Sequence, residues 1–150
     1  MLFEEVGEAL RSLVPVELGV LKCRSHRYGI KVWFDTENAP REHYEAQVVG
    51  ARHVPEATVL AIEIGFHAEH PKAADNDAAL RRLAVGEKRW RKILGDDAVA
   101  APFIGRPQDW RRCSETWLDP DLGDPDLGFE LASRLTDYVT AFEPVLRARA

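Results

Sequence analysis

Two glutamates and two histidines crowd residues 61–71, "AIEIGFHAEHP", a mixture able to ligate a metal ion or to move protons. Carboxylate oxygens and imidazole nitrogens are common donors to divalent cations, and neighbouring carboxylates can form an acid–base couple. Spacing decides which of them act together. Leu60, Ile62, Ile64 and Phe66 alternate with smaller or polar residues, which reads as a half-buried strand, so Glu63 and His67 share its polar face. His67 and His70 fall on opposite sides of an extended chain, and Pro71 disfavours helical geometry at His70. No zinc site is expected from that pair, since neither an H-E-x-x-H pattern nor a cysteine partner accompanies it.

Two more segments alternate in the same way. In "GIKVWFD" (29–35), Ile30, Val32 and Phe34 oppose Lys31, Trp33 and Asp35; in "HYEAQVV" (43–49), Tyr44, Ala46 and Val48 oppose His43, Glu45, Gln47 and Val49. Short proline-punctuated connections favour an antiparallel meander. Aligning the apolar residues, with Phe34 opposite Tyr44 and Tyr44 opposite Ile64, places Trp33, Glu45 and Glu63 in one row across the polar face. Lys31, Asp35, Gln47 and His67 surround the row. Directly opposed glutamates have Cβ atoms ~4.5–5.5 Å apart and repel one another.

Three arrangements relieve that repulsion. One is a solvated face on which Lys31 offsets the charge. Another is a divalent cation, Mg²⁺ or similar, held by Asp35, Glu45 and Glu63 with His67 as a further donor. The last is a coupled carboxylate pair with one raised pKa. Trp33 on a polar face suits a ligand or a covering segment. The expected ligand-binding set is therefore Trp33, Glu45, Gln47, Glu63 and His67, and the expected metal set is Asp35, Glu45 and Glu63.

A helix, a strand ending in Asp35 and a following strand carrying "EAQ" (45–47) together resemble the core of the PD-(D/E)xK nuclease superfamily. The resemblance is confined to these first elements. It implies a divalent-metal-dependent nuclease in which Asp35 is the first metal-binding acid and Glu45 and Gln47 stand for the E-x-K pair. Glutamine here takes the place of that family's lysine.

The remaining elements must position these strands. Phe3, Val6, Leu10 and Leu13 recur at helical spacing before Pro15. A second helix is expected over 75–94, with Gly86 weakening its middle so that two shorter helices are the alternative; Glu87 and Arg91 fall near its apolar stripe, as a buried pair or facing a site. "AVAAPFIG" and "WRRCSETW" read as one or two later strands. Leu131, Leu135, Tyr138, Phe142 and Leu146 mark a final helix that Pro144 should bend or fray. Between them the tandem repeat "DPDLGDPDLG" (119–128) reads as an acidic turn supplying helix-capping carboxylates. The order predicts one α+β domain over residues 1–150. Its mainly antiparallel sheet is a three-stranded meander plus one or two later strands, packed against N-terminal, central and C-terminal helices.

Composition narrows the function classes. A net charge of −5 gives no general attraction to nucleic acid or anionic membrane. No apolar run approaches the ~20 residues of a membrane span, and the acidic N-terminal stretch lacks signal-peptide character, so the expectation is a cytoplasmic protein. Its two cysteines, Cys23 and Cys113, should then be reduced. Residues 81–92 hold six basic side chains and one acid, whereas 115–130 hold six acids and no base; these segments could meet within one chain or between copies, leaving the oligomeric state open. Taken together, the residues suggest a ligand- or protein-binding domain using the polar sheet face and needing no cofactor. The alternative is a divalent-metal-dependent hydrolase, nuclease-like, acting through Asp35, Glu45 and Glu63.

Overall fold

The computed structural model describes residues 1–148. Its centre is an antiparallel six-stranded sheet of β1 (Leu21–His26), β2 (Gly29–Phe34), β3 (Glu42–Gly50), β4 (Leu60–Ala68), β5 (Val99–Pro102) and β6 (Arg111–Leu118), in the order β1-β2-β3-β4-β6-β5. Four α-helices pack with it: α1 (Leu2–Leu13), α2 (Ala73–Val85), α3 (Glu87–Leu94) and α4 (Leu127–Arg147). The α+β class and the β2–β3–β4 meander follow the alternation in the sequence. No helix among the described residues is long and apolar enough to cross a membrane.

Period-two patterning sends Ile30, Val32, Tyr44, Ala46, Ile62, Ile64, Phe66 and Cys113 to one face of the sheet. There they are buried with Phe3, Val6 and Leu10 of α1, Leu83 of α2, Trp90 of α3, and Leu131, Leu135, Tyr138 and Phe142 of α4. This layer removes most of the apolar surface from water and dominates the stability. It also fixes the opposite parity of each strand on the other face.

Gly86, at φ −99° and ψ 12°, separates α2 from α3, and a Cβ there would lie 2.4 Å from a methyl of Val145. Of the two readings of 75–94, one helix or two shorter ones, the structure has the second. The Glu87–Arg91 pair (2.8 Å) is largely exposed, with the Arg91 guanidinium 4.5 Å from the Trp90 ring centroid and donating to the carbonyls of Gly95 and Ala98. Helix α4 runs through Pro144 to Arg147, further than expected. Strand β1 has no counterpart in the sequence reading. The Asp119 carboxylate accepts from the backbone N–H groups of Thr58, Val59 and Leu60. The acidic repeat therefore ties down the start of β4, and no side chain of it caps α4.

The registers differ from the alignment of apolar residues by two positions. Val32 faces Tyr44 and Lys31 faces Glu45, while Tyr44 faces Phe66, Glu45 faces Gly65 and Gln47 faces Glu63. Trp33 pairs with Lys22 of β1 and not with Glu45. A two-residue slip keeps every side chain on its face and changes only its neighbours, so the faces are as expected while the Trp33–Glu45–Glu63 row does not exist.

Candidate metal centre

The second face of the sheet is buried at its centre, although its lining is polar. His43, Glu45, Glu63 and His67 are each at most 4% exposed, so the solvated face is corrected. Cover comes from the segment between β5 and β6. Phe103 meets the His67 ring edge-on at 5.2 Å, and Trp110 in turn meets Phe103. Asn76 of α2, wholly buried, anchors that cover. Its side chain accepts from the His70 N–H and donates to the carbonyls of His70 and Asp109, joining the exit of β4 to the covering segment.

Two copies of one short pattern build the site, "HYE" at 43–45 and "HAE" at 67–69. In an extended strand, residues two apart share a face, so each histidine stands beside its glutamate. Because β3 and β4 are antiparallel with His43 directly opposite His67, the two glutamates lie diagonally on either side of the histidine pair. Glu69 keeps its place beyond the end of β4 through its N–H, which donates to the Arg41 carbonyl at 2.8 Å.

Four donor atoms converge, one each from His43, Glu45, His67 and Glu69, all within 4.8 Å of one another. His43 Nε2 is 2.8 Å from Glu45 Oε1 and 3.6 Å from Glu69 Oε2, and His67 Nδ1 is 3.1 Å and 3.2 Å from the same two atoms. A tetrahedral zinc ion with ligand bonds of ~2.0–2.1 Å separates its ligands by roughly 3.3 Å, within the span of the four nitrogen–oxygen separations, while all four atoms lie within 4.8 Å.

The far side of each ring is equally specified. His43 Nδ1 lies 2.9 Å from the Pro40 carbonyl. That oxygen can only accept, so Nδ1 carries the proton and Nε2 is directed to the carboxylates. His67 Nε2 lies 2.8 Å from Glu63 Oε2. Glu63 in turn accepts from the Ser114 hydroxyl (2.7 Å) and the Gln47 amide (2.8 Å), and Arg112 donates to Ser114. A carboxylate behind a ligating imidazole fixes its tautomer and raises its basicity.

Gly65 permits this close arrangement. It sits at φ +155°, and a Cβ there would be 2.5 Å from the Cys113 carbonyl oxygen and 2.6 Å from the Ser114 Cα. Without a side chain at 65, β6 comes near enough for Ser114 to reach Glu63.

Electrostatics sets this cluster apart from the other buried acids. Glu115 meets Arg134 and the Tyr138 hydroxyl, and Glu143 meets Arg147 and the Tyr44 hydroxyl, one acid to one guanidinium. Here three carboxylates share two imidazoles and one ammonium, that of Lys31, 3.4 Å from Glu69. Burial opposes charge on His67, but Glu63 and Glu45 overcome it and hold the imidazole charged well above its usual range. Burial likewise opposes charge on both glutamates. For Glu45 the neighbouring His67 and His43 outweigh it, for Glu63 His67 with Ser114 and Gln47, and both carboxyls stay below the usual range. The expected carboxylate pair with one raised pKa is thus corrected: His67 stands between the two acids and lowers both.

The residues singled out from sequence are distributed as follows. Glu45, Glu63 and His67 come together, Glu45 and His67 aiming at the centre and Glu63 standing behind His67. Gln47 touches Glu63 and not the centre. Trp33 lines a cavity next to Glu69. Asp35 is 82% exposed, pairs with Lys22 at 3.4 Å and has no part in the cluster. His43 and Glu69 were missed, although the duplicated H-x-E pattern at strand spacing was there to be read. His70 is elsewhere, against Glu42 at 2.7 Å. Comparison with known proteins gives no match to any family model, curated protein or solved structure.

Proposed function

We propose that this protein binds one divalent transition-metal ion through His43, Glu45, His67 and Glu69 and uses it as a Lewis acid on a small molecule. The observation that carries the reading is the convergence of four donor atoms within 4.8 Å of one another, with nitrogen–oxygen separations of 2.8–3.6 Å. Both rings are oriented from behind by groups that cannot themselves reach the centre. Two nitrogens among four donors favour zinc or a neighbouring transition ion over Mg²⁺ or Ca²⁺, which prefer six or more oxygens. A dication and the Lys31 ammonium together balance the three carboxylates with both imidazoles neutral.

Glu69 favours catalysis over a purely structural ion. Three of the donors are sealed in the sheet, whereas Glu69 borders a cavity and is the ligand able to yield its position to water or substrate. Catalytic zinc sites keep such an exchangeable position, and a bound water there becomes a nucleophile near neutral pH. The hydrolase alternative thus acquires a different ligand set, with Asp35 outside it and Glu63 behind it. The reading of the polar face as a binding surface becomes its substrate side.

Thermal melting with and without metal tests the proposal. Zn²⁺ or Co²⁺ at a thousand times its Kd stabilises by about 4 kcal/mol, a rise of roughly 10 °C for a chain of this size. Mg²⁺ should give much less, and Glu45→Gln and His43→Gln should abolish the zinc response. No shift with any transition ion at millimolar concentration would refute it.

A further inference from the structure

Beside Glu69 the polar face opens into a cavity of about 260 Å³ lined by Arg24, Lys31, Trp33, Pro40, Arg41 and Glu69. Three of the six are cations. Arg24 and Lys31 are directly opposed on β1 and β2, a cross-strand like-charge pair that destabilises a sheet unless something sits between them. Lys31 turns to Glu69, while neither Arg24 nor Arg41 has a carboxylate partner among the described residues. Trp33 is two residues from Lys31 on the same strand and presents an aromatic wall to the same space. Pro40, whose carbonyl orients His43, ties the cavity to the centre.

We infer that this cavity is an oxyanion subsite of the metal centre, taking the carboxylate or phosphate of a small molecule whose flat body rests on Trp33. Guanidinium groups bind either oxyanion through charge-assisted, often paired, hydrogen bonds. The volume lies below the ~300–1,000 Å³ common for drug-sized ligands, which suits a small metabolite better than a polymer, and the net charge of −5 opposes a polyanion. Coupling to the centre rests on the metal reading. A dication beside Glu69 adds positive charge at the edge of the cavity, so metal and oxyanion should strengthen each other's binding.

The test is calorimetric titration of benzoate and of inorganic phosphate into zinc-loaded and zinc-free protein. Wild type is compared with the Arg24→Ala/Arg41→Ala double variant and with Trp33→Leu, zinc affinity being measured for each. The double variant should bind both anions at least about tenfold more weakly with zinc affinity unchanged. Trp33→Leu should weaken benzoate and spare phosphate, and zinc should tighten both anions. Whichever of the two the Trp33→Leu variant prefers, with the contribution of the flat body removed, identifies the headgroup. Zinc uptake without anion binding, or anion binding indifferent to the arginine substitutions, overturns the subsite and leaves the metal reading standing. Arginine-dependent anion binding in protein that takes up no zinc overturns the metal reading and leaves the subsite without its coupling.

Discussion

Glu63→Gln separates a residue that orients a ligand from one that is a ligand. The substitution keeps the volume and the hydrogen bond from Ser114. It also leaves an amide oxygen able to accept from His67 Nε2, now at 2.8 Å from the carboxylate. What it removes is the negative charge behind the imidazole, while the new amide NH2 meets Gln47, whose side-chain amide must flip to accept from it. Outer-shell carboxylates of this kind change metal affinity by about 10–100-fold, equivalent to roughly 1.4–2.8 kcal/mol. Without metal the variant also loses one partner of a buried imidazolium while Glu45 and Glu69 remain beside it, so the cost should stay below the ~3–5 kcal/mol of a buried pair broken outright. Competition against a chromogenic chelator gives the zinc affinity, and urea unfolding in EDTA gives the metal-free stability. Glu45→Gln, which alters a donor itself, should lose more than 100-fold. An unchanged affinity in Glu63→Gln, or a loss equal to that of Glu45→Gln, would refute the division of roles.

The metal-free network should be most stabilising between about pH 4.5 and 6.5. The lowered Glu45 and Glu63 contribute fully above the ordinary carboxyl value of 4.5 and lose that contribution as pH falls through their depressed values. The raised His67 contributes fully below 6.5 and loses it as pH rises through its elevated value. Zinc must displace the proton on His67 Nδ1, so its melting shift should instead grow from pH 6 to pH 8; a shift largest at pH 6 would speak against that exchange. Gly65→Ala should destabilise by about 2–4 kcal/mol in chemical unfolding, since its Cβ meets the β6 backbone, and a neutral result would show that β6 can retreat. Burial pushes the Cys113 thiol up to about 12, and both cysteines are free. A thiol reagent at pH 8 should therefore titrate at most Cys23 in the native protein and two thiols in urea, whereas two fast native thiols would contradict the packing.

Alternation made the fold legible because the helix-covered face selects one parity in β2, β3, β4 and β6. Parity is also where its information ends. Pairing Phe34 with Tyr44 or Val32 with Tyr44 buries the same side chains, so nothing in the pattern distinguishes registers two apart. Strand β1 escaped notice because "LKCRSH" is an edge strand, half-buried at Leu21 and Cys23 and exposed elsewhere, with little apolar contrast. The site was half legible for the same reasons. Glu45, Glu63 and His67 were placed on the right face by parity. His43 and Glu69 are not singled out by parity, because Glu69 lies beyond the strand end and because opposition of the two histidines depends on register. Asp35 drew attention through its type and its place after a strand, but the chain leaves the sheet at Phe34 and carries it into solvent.

Cobalt titration of the metal-free protein probes the four-donor centre most directly, since tetrahedral Co²⁺ absorbs strongly in the visible and octahedral Co²⁺ only weakly. Absorbance should rise linearly to a break at one equivalent with tetrahedral intensity, and His43→Gln should abolish that band while leaving the protein folded. A weak octahedral spectrum without a break, or a band that survives His43→Gln, would show that His43, Glu45, His67 and Glu69 form an ion-pair network and not a metal centre.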